Sequence, residues 1–238
     1  MNRQVIRCPM MLSEGDWLAL SVSVQLALLT TVILIVICTP LAWWLARRRL
    51  PGQALLEAVL ALPLVLPPSV LGFYLLIGLG PNGPGGWLAN VVEQRSLAFT
   101  FTGLVVGSVV YSLPFVLQPL KNAFSAIDSK QLDMAAVTGA GPRDRFLSLV
   151  LPQCREGYVS AAILGFAHTL GEFGVVLMIG GSLSGQTRVA SVALYEHVDA
   201  GDYVSAHRLA AVLLGLSLLL LWGLFRWQRG RSGPGAMP

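Results

Sequence analysis

Charge is what this sequence has least of. Only 12% of its 238 residues are Asp, Glu, Lys or Arg, against roughly 25% in a typical soluble domain. A chain so poor in charge cannot coat a water-facing surface of its own size. Most of it must meet lipid or other apolar helices. Cysteine is scarce as well: Cys8, Cys38 and Cys154 show neither pairing nor metal-ligand spacing, which excludes a disulfide framework and a zinc site. A phosphate loop of the form G-x-x-x-x-G-K-[ST] and an acidic Mg²⁺ constellation are both missing, so the chain cannot hydrolyse ATP by itself. No internal repeat is visible, which argues against a carrier built from inverted halves.

What remains is apolar. Hydrophobic residues make up 55% of the chain, and the mean hydropathy is +0.69. With about 20 apolar residues needed to cross a bilayer, five runs qualify: Trp17 to Ala46, Ala54 to Gly80, Leu97 to Leu120, Tyr158 to Gly180 and Ala206 to Trp227. There is room for a sixth. The first run is too long for a secretory signal and lacks a small-residue cleavage site, so it reads as a retained span. Pro63, Pro67 and Pro68 interrupt the second and Pro114 kinks the third; such breaks suit the wall of a cavity. The net charge of +4 does not point to nucleic acid, because the basic residues sit at the ends of apolar runs. Arg47, Arg48 and Arg49 follow span one; Lys121, Lys130, Arg143, Arg145 and Arg155 lie between spans three and four; Arg226, Arg229 and Arg231 follow span five. Five crossings put all three groups on one side, which the positive-inside rule makes the cytoplasm. Arg95 and Arg188 fall on the other side, with Arg208 at a span edge, and Arg3 and Arg7 dilute the pattern. The expected topology is N-terminus outside and C-terminus inside. The fold class is all-α, one polytopic membrane domain over residues 1–238. Residues 81–86 read as an outer turn without helix propensity, and the tail from 228, above all Ser232 to Pro238, as disordered.

The segment from Asp128 to Pro152 differs from the rest, being charged and helix-forming between two spans. Asp128 with Gln131 three positions on is a capping-box pattern. Leu132, Ala135 and Ala136 follow at helical spacing, Gly139 and Gly141 end the helix, and Pro142 suits the first turn of the next. This describes a hairpin, within about 121–155, that either merely connects two spans or docks something.

The stretch Asp133-Met134-Ala135, three residues, Gly139, nine residues, then Leu149-Val150-Leu151-Pro152 resembles the cytoplasmic motif of binding-protein-dependent ABC permeases: Glu-Ala-Ala, three, Gly, nine, Ile-x-Leu-Pro. It departs at Asp133, Met134 and Leu149. The runs from Pro63 to Gly72 and from Ala167 to Gly174, with Gly185-Gln186-Thr187-Arg188, are similar to molybdate permease subunits, relatives of the sulfate/thiosulfate permeases; Gln186 replaces an acid. The resemblance covers nearly the whole chain. It implies a coupling helix carried by Asp133, Met134, Ala135, Gly139, Ala140, Gly141, Leu151 and Pro152, docked on a separate ATPase subunit. It further implies two copies each of permease and ATPase, an external binding protein, ATP consumed by the partner and no cofactor on this chain. The expected cargo is molybdate or tungstate, with sulfate the alternative.

Within the spans, His168 and Glu172 are four apart and would share a helix face. A buried acid in a span faces a cavity or a partner. It is expected to be structural or gate-forming here, satisfied by hydrogen bonds from other helices, because an anionic side chain repels an anionic substrate and two ligands make a poor metal site. A membrane enzyme using His168 and Glu172 as acid and base, or a carrier titrating Glu172, are the rival readings, and neither explains the hairpin. Gly165, Gly171, Gly174, Gly180 and Gly181 read for the most part as close-packing positions, the alternative being that they loosen the helix near Gly180-Gly181 and expose backbone amides to a passing anion. The pathway and its gate are expected at Pro67, Pro68, Ser69, Ser112, Thr169, Gly171, Glu172 and Gly174. Neutral contacts from backbone amides, Ser69, Ser112 or Thr169 would pass a dianion without trapping it, since no cluster of Arg or Lys occupies the middle of a span.

Overall fold

The computed structural model describes residues 12–48, 51–86 and 96–229. Among them every regular element is helical. Arg3, Arg7, Cys8, Arg49, Arg95, Arg231 and the tail at 232–238 lie outside the described residues.

Helix α1 (Glu14–Arg47) spans 34 residues, enough at 1.5 Å per residue for about 50 Å of length. Ser13 starts it with a reciprocal cap: its hydroxyl accepts from the Asp16 amide at 3.1 Å while the Asp16 carboxylate accepts from the Ser13 amide at 3.3 Å. Helix α2 (Gln53–Ala61) and helix α3 (Pro68–Leu79) make up the second apolar run, and they meet at 105°. The prolines explain the bend. Pro63 sits in a 3₁₀ turn, Leu62–Leu64, and Pro67, preceding another proline, is pushed to ψ 134°, as the ring of the following proline requires. Helix α4 (Phe101–Ser125) is capped by Thr100, whose hydroxyl accepts from Gly103 at 3.1 Å; Pro114 and Pro119 lie inside it without ending it.

The connection then folds as helix α5 (Ser129–Val137), helix α6 (Pro142–Arg145), a π-helical turn (Phe146–Val150) and a short turn (Leu151–Gln153). The π turn sits just before Pro152, which has no N–H to continue a regular α ladder. Helix α7 (Arg155–Leu170) and helix α8 (Gly174–Gly180) form the fourth run, bent by 59°. Helix α9 (Ala190–Asp199) has no counterpart in the apolar pattern, and helix α10 (Tyr203–Arg229) closes the chain's described part. Among the described residues three helices are long and apolar enough to cross a membrane, and the count reaches five when each bent pair is taken as one span. Residues 84–86, expected as turn, are helical; proline tolerates a first helical position.

Helices α1, α4 and α7 pack on one another as the centre, α8 packs between α3 and α4, and α9 lies against α1 and α10. Packing also defines two ends. At one, Arg47 reaches the carbonyls of Phe124 and Ile127, Lys121 pairs with Glu57 at 2.7 Å, and Gln228 donates to Ser160 at 3.1 Å. At the other, His197 meets Asp16 at 2.8 Å, the Ala190 amide donates to Ser23 at 2.7 Å, and the Phe99 amide donates to Ile179 at 2.7 Å. Helices α1 and α4 therefore run parallel and α7 runs back between them. The end of α1, the hairpin and the end of α10 share one face of the molecule, as the basic loops led us to expect.

Candidate functional site

Two regions carry functional geometry. The first is a cavity of about 580 Å³ lined by Pro68, Ser69, Tyr111, Ala167, His168, Gly171, Glu172, Phe173 and Gly174. Sequence reasoning expected His168 and Glu172 on one helical face. Instead α7 ends at Leu170 and Glu172 lies in the break before α8, yet both side chains line the same cavity. The break exists because Gly171, at φ −89° and ψ 1°, leaves the helical path. Its partner wall is the start of α3, where Gly174 lets Pro68 come so close that a Cβ on the glycine would sit 2.7 Å from the proline Cβ. The two broken spans thus meet break to break.

Glu172 is 3% exposed, and among the described residues neither carboxyl oxygen has a hydrogen-bond partner, contrary to the expectation that bonds from other helices satisfy it: the break at Gly171 turns it toward the cavity instead. The Ser108 hydroxyl faces it but likewise completes no hydrogen bond. Buried polar atoms are nearly always paired, so the pair formed by Glu172 and the Ser108 hydroxyl facing it is unusual among the described residues. Ser112 and Thr169 sit deeper than the cavity wall: their hydroxyls bond each other at 2.9 Å, and Ser112 also bonds His168 Nδ1 at 2.9 Å. His168 is stacked on Phe115 with ring centroids 3.7 Å apart and lies 4.8 Å from the Tyr111 ring. Of the residues expected along the pathway, Pro68, Ser69, Gly171, Glu172 and Gly174 line one cavity. Pro67 stands just outside it as the cap of α3, and Ser112 and Thr169 brace His168 behind it. Ser108, Tyr111 and Phe115 were missed. Their signal was present, since Ser108 and Ser112, and Tyr111 and Phe115, are each four apart on α4.

Glycine serves packing elsewhere in this region. A Cβ on Gly165 would lie 2.5 Å from Val116 Cγ2, and one on Gly180 would lie 2.4 Å from Leu104 Cδ2. Gly181 instead takes φ +61° as α8 ends. The loop that follows is held by Thr187, which donates to the Gly180 carbonyl at 2.6 Å and accepts from the Leu183 amide at 3.2 Å. Arg188 pairs with Glu196 at 2.7 Å.

The second region is the hairpin. Asp128 caps α5 by accepting from the Lys130 amide at 3.0 Å, which is half of the expected capping box. Gln131 does not reach back; its side chain accepts from Gln153 at 3.0 Å and so ties the two arms. Gly139 takes φ +88°, and the chain reverses there with the Ala140 amide donating to the Ala135 carbonyl at 3.0 Å. Gly141 is extended and caps α6 without strain. Asp133 and Pro152 are exposed, Ala135, Ala140 and Gly141 half-buried, and Leu151 is 37% exposed. Met134 is 70% and Val137 89% exposed, so a short amphipathic helix presents apolar side chains away from the bundle. Beneath it, Trp43, Leu132, Pro142, Arg145, Phe146 and Val150 line a small apolar pocket that roots the hairpin. Among the described residues no group of three or more His, Cys, Asp or Glu could hold a metal ion.

Residues 28–229 match the family described as the binding-protein-dependent transport system inner membrane component. The chain is 53% identical over 224 residues to the molybdenum transport system permease protein ModB of Azotobacter vinelandii, across 94% of this chain and 99% of that one. It is 34% identical over 185 residues to the sulfate transport system permease protein CysT of Escherichia coli, across 77% of this chain and 66% of that one. In fold it resembles a chain of a bacterial alginate ABC transporter crystallised with an alginate pentasaccharide-bound periplasmic protein, with a TM-score of 0.73 at 14% identity over 94% of this chain and 82% of that one. A match over residues 28–229 and a relative 53% identical along nearly its whole length show that the chain belongs to the family of inner membrane components of binding-protein-dependent transport systems.

Proposed function

We propose that this chain is the permease subunit of an ATP-driven importer that moves molybdate or tungstate inward across the inner membrane. The observation that carries the cargo is the 53% identity, along nearly the full length of both chains, to a molybdenum transport permease. The shorter and more distant match to a sulfate permease makes sulfate the second reading.

The hairpin supports the coupling role. Met134 and Val137 project from α5, 70% and 89% exposed, and burying such side chains in a groove of an ATPase subunit is favourable by roughly 1.5–3 kcal/mol each. The sequence has no phosphate loop of the form G-x-x-x-x-G-K-[ST], which supports a separate ATPase as the source of energy. Two permease copies, two ATPases and an external binding protein make the working assembly. The hairpin end is cytoplasmic, which places both Arg47 and the end of α10 inside and the start of α1 outside.

The cavity supports a transient passage between the two broken spans. Ser69 offers a neutral hydroxyl there, while Glu172 opposes a resting anion, so selectivity resides chiefly in the external binding protein. Pro68, Gly171 and Gly174 form the hinge-like walls with Pro67 just outside them as the cap of α3, and Ser112 and Thr169 hold His168 in place. Proteoliposomes containing the permease, its ATPase and the binding protein should take up molybdate and tungstate only with ATP. ATP-dependent uptake of sulfate but not molybdate would overturn the cargo and leave the permease role; uptake driven by a proton gradient without ATP would overturn both.

A further inference from the structure

We infer that Arg47 and Trp43 form the joint through which displacement of the hairpin reaches α1, an inference that rests on the hairpin being the ATPase-coupling element. The hairpin has two roots in the bundle. Its entry runs through Phe124 and Ile127, immediately ahead of the Asp128 cap, and its exit through Phe146 in the π turn. Arg47 Nη2 donates to the carbonyls of both Phe124, at 3.3 Å, and Ile127, at 3.1 Å. Those carbonyls belong to the last turn of α4 and its extension, where the helix dipole favours a cation; the Phe124 carbonyl also accepts from the Ile127 amide at 3.4 Å.

Trp43, four residues earlier on the same face of α1, fills the space between the two roots. Its ring meets Phe124 at 5.4 Å and Phe146 at 5.6 Å, both edge-on, and the Arg47 guanidinium stands 4.9 Å from its centroid. One end of α1 is therefore wedged into the base of the hairpin and bonded to its entry. Neither root can shift without moving the indole or breaking the guanidinium's carbonyl bonds.

At its far end the same helix is held by His197 on Asp16 and by the Ala190 amide on Ser23, so α1 links the hairpin to the opposite face. Among the described residues no hydrogen-bond partner stands at the buried Arg47 Nε, so the two carbonyl bonds made through Nη2 and the stacking on Trp43 are what hold the guanidinium in place. Lysine could not replace the side chain, because a point charge cannot bond two carbonyls and stack on an indole together.

The test uses the permease reconstituted with its ATPase and binding protein, measuring ATP hydrolysis and molybdate uptake in the same vesicles. Arg47→Gln and Trp43→Leu should assemble and hydrolyse ATP, yet transport per ATP should fall about fivefold or more, the lower range of typical coupling energies. Arg47→Lys should fall between them and the unchanged chain. Wild-type transport per ATP in Arg47→Gln and Trp43→Leu would overturn the inference. So would loss of assembly in all three variants, which would make the contacts purely structural. Failure of the unchanged chain to transport with ATP would instead sink the coupling reading itself.

Discussion

Gly139 holds φ +88° with nothing within 4 Å of where a Cβ would stand, so any substitution there is resisted by the backbone and not by neighbours. An ordinary L residue pays about 1–2 kcal/mol in the left-handed region, which asparagine largely escapes by local hydrogen bonding and a β-branched residue exceeds. The turn is exposed and packs on nothing, so global stability should barely move. The cost falls instead on the population of the correctly turned hairpin, which 1–2 kcal/mol lowers by roughly 5- to 30-fold. Gly139→Asn should retain most ATP-dependent uptake, Gly139→Ala should lose a measurable part, and Gly139→Val should abolish it and weaken co-purification of the ATPase. Thermal unfolding of the permease in detergent should stay within a degree or two for all three, on the rule that surface changes cost under about 0.5 kcal/mol. Wild-type uptake by Gly139→Val would refute the argument, and so would a graded loss that followed side-chain size instead of backbone preference.

Ser112→Ala removes the hydroxyl that joins His168 to Thr169 and should destabilise by about 1–3 kcal/mol through the unpaired groups left behind, read as a lower unfolding temperature. Gly174→Ala drives a methyl to 2.7 Å from Pro68 Cβ and should cost about 1–3 kcal/mol by overpacking, with uptake falling further than stability because the cavity wall moves. Single cysteines at Arg48 and Arg229 should both be shielded from an impermeant thiol reagent in intact cells; labelling of only one would break the five-crossing topology. The hydroxyl and amide of Ser205 hold the Asp202 carboxyl below its ordinary value of 3.8. Its small contribution is present above that value and lost as pH falls through the depressed one, so Asp202→Asn should flatten stability only at the acid end.

Much of this protein is legible from composition alone. Scarce charge and long apolar runs dictate crossings because lipid cannot satisfy an open backbone, and the runs at Trp17, Leu97 and Ala206 became α1, α4 and α10 nearly as expected. The hairpin was equally readable. Asp128, Gly139 and Pro142 act through local backbone chemistry, and the end of the helix at Gly139, where the backbone takes φ +88°, needed no tertiary partner. Proline runs announced a break at Pro63 to Pro68 but not its angle, since a missing N–H says where a helix fails and not which way the next one goes. The meeting of that break with the one at Gly171 depends on α3 docking against α8, which no spacing encodes. Helix α9 escaped notice because it is short and weakly apolar, held by Ser23 and Asp16 from far away in the chain. The same is true of Glu172 and Arg47. Sequence marks both as charges at or within an apolar run, but only the packed bundle leaves one carboxyl unpartnered beside Ser108 and carries the guanidinium across to the carbonyls of Phe124 and Ile127.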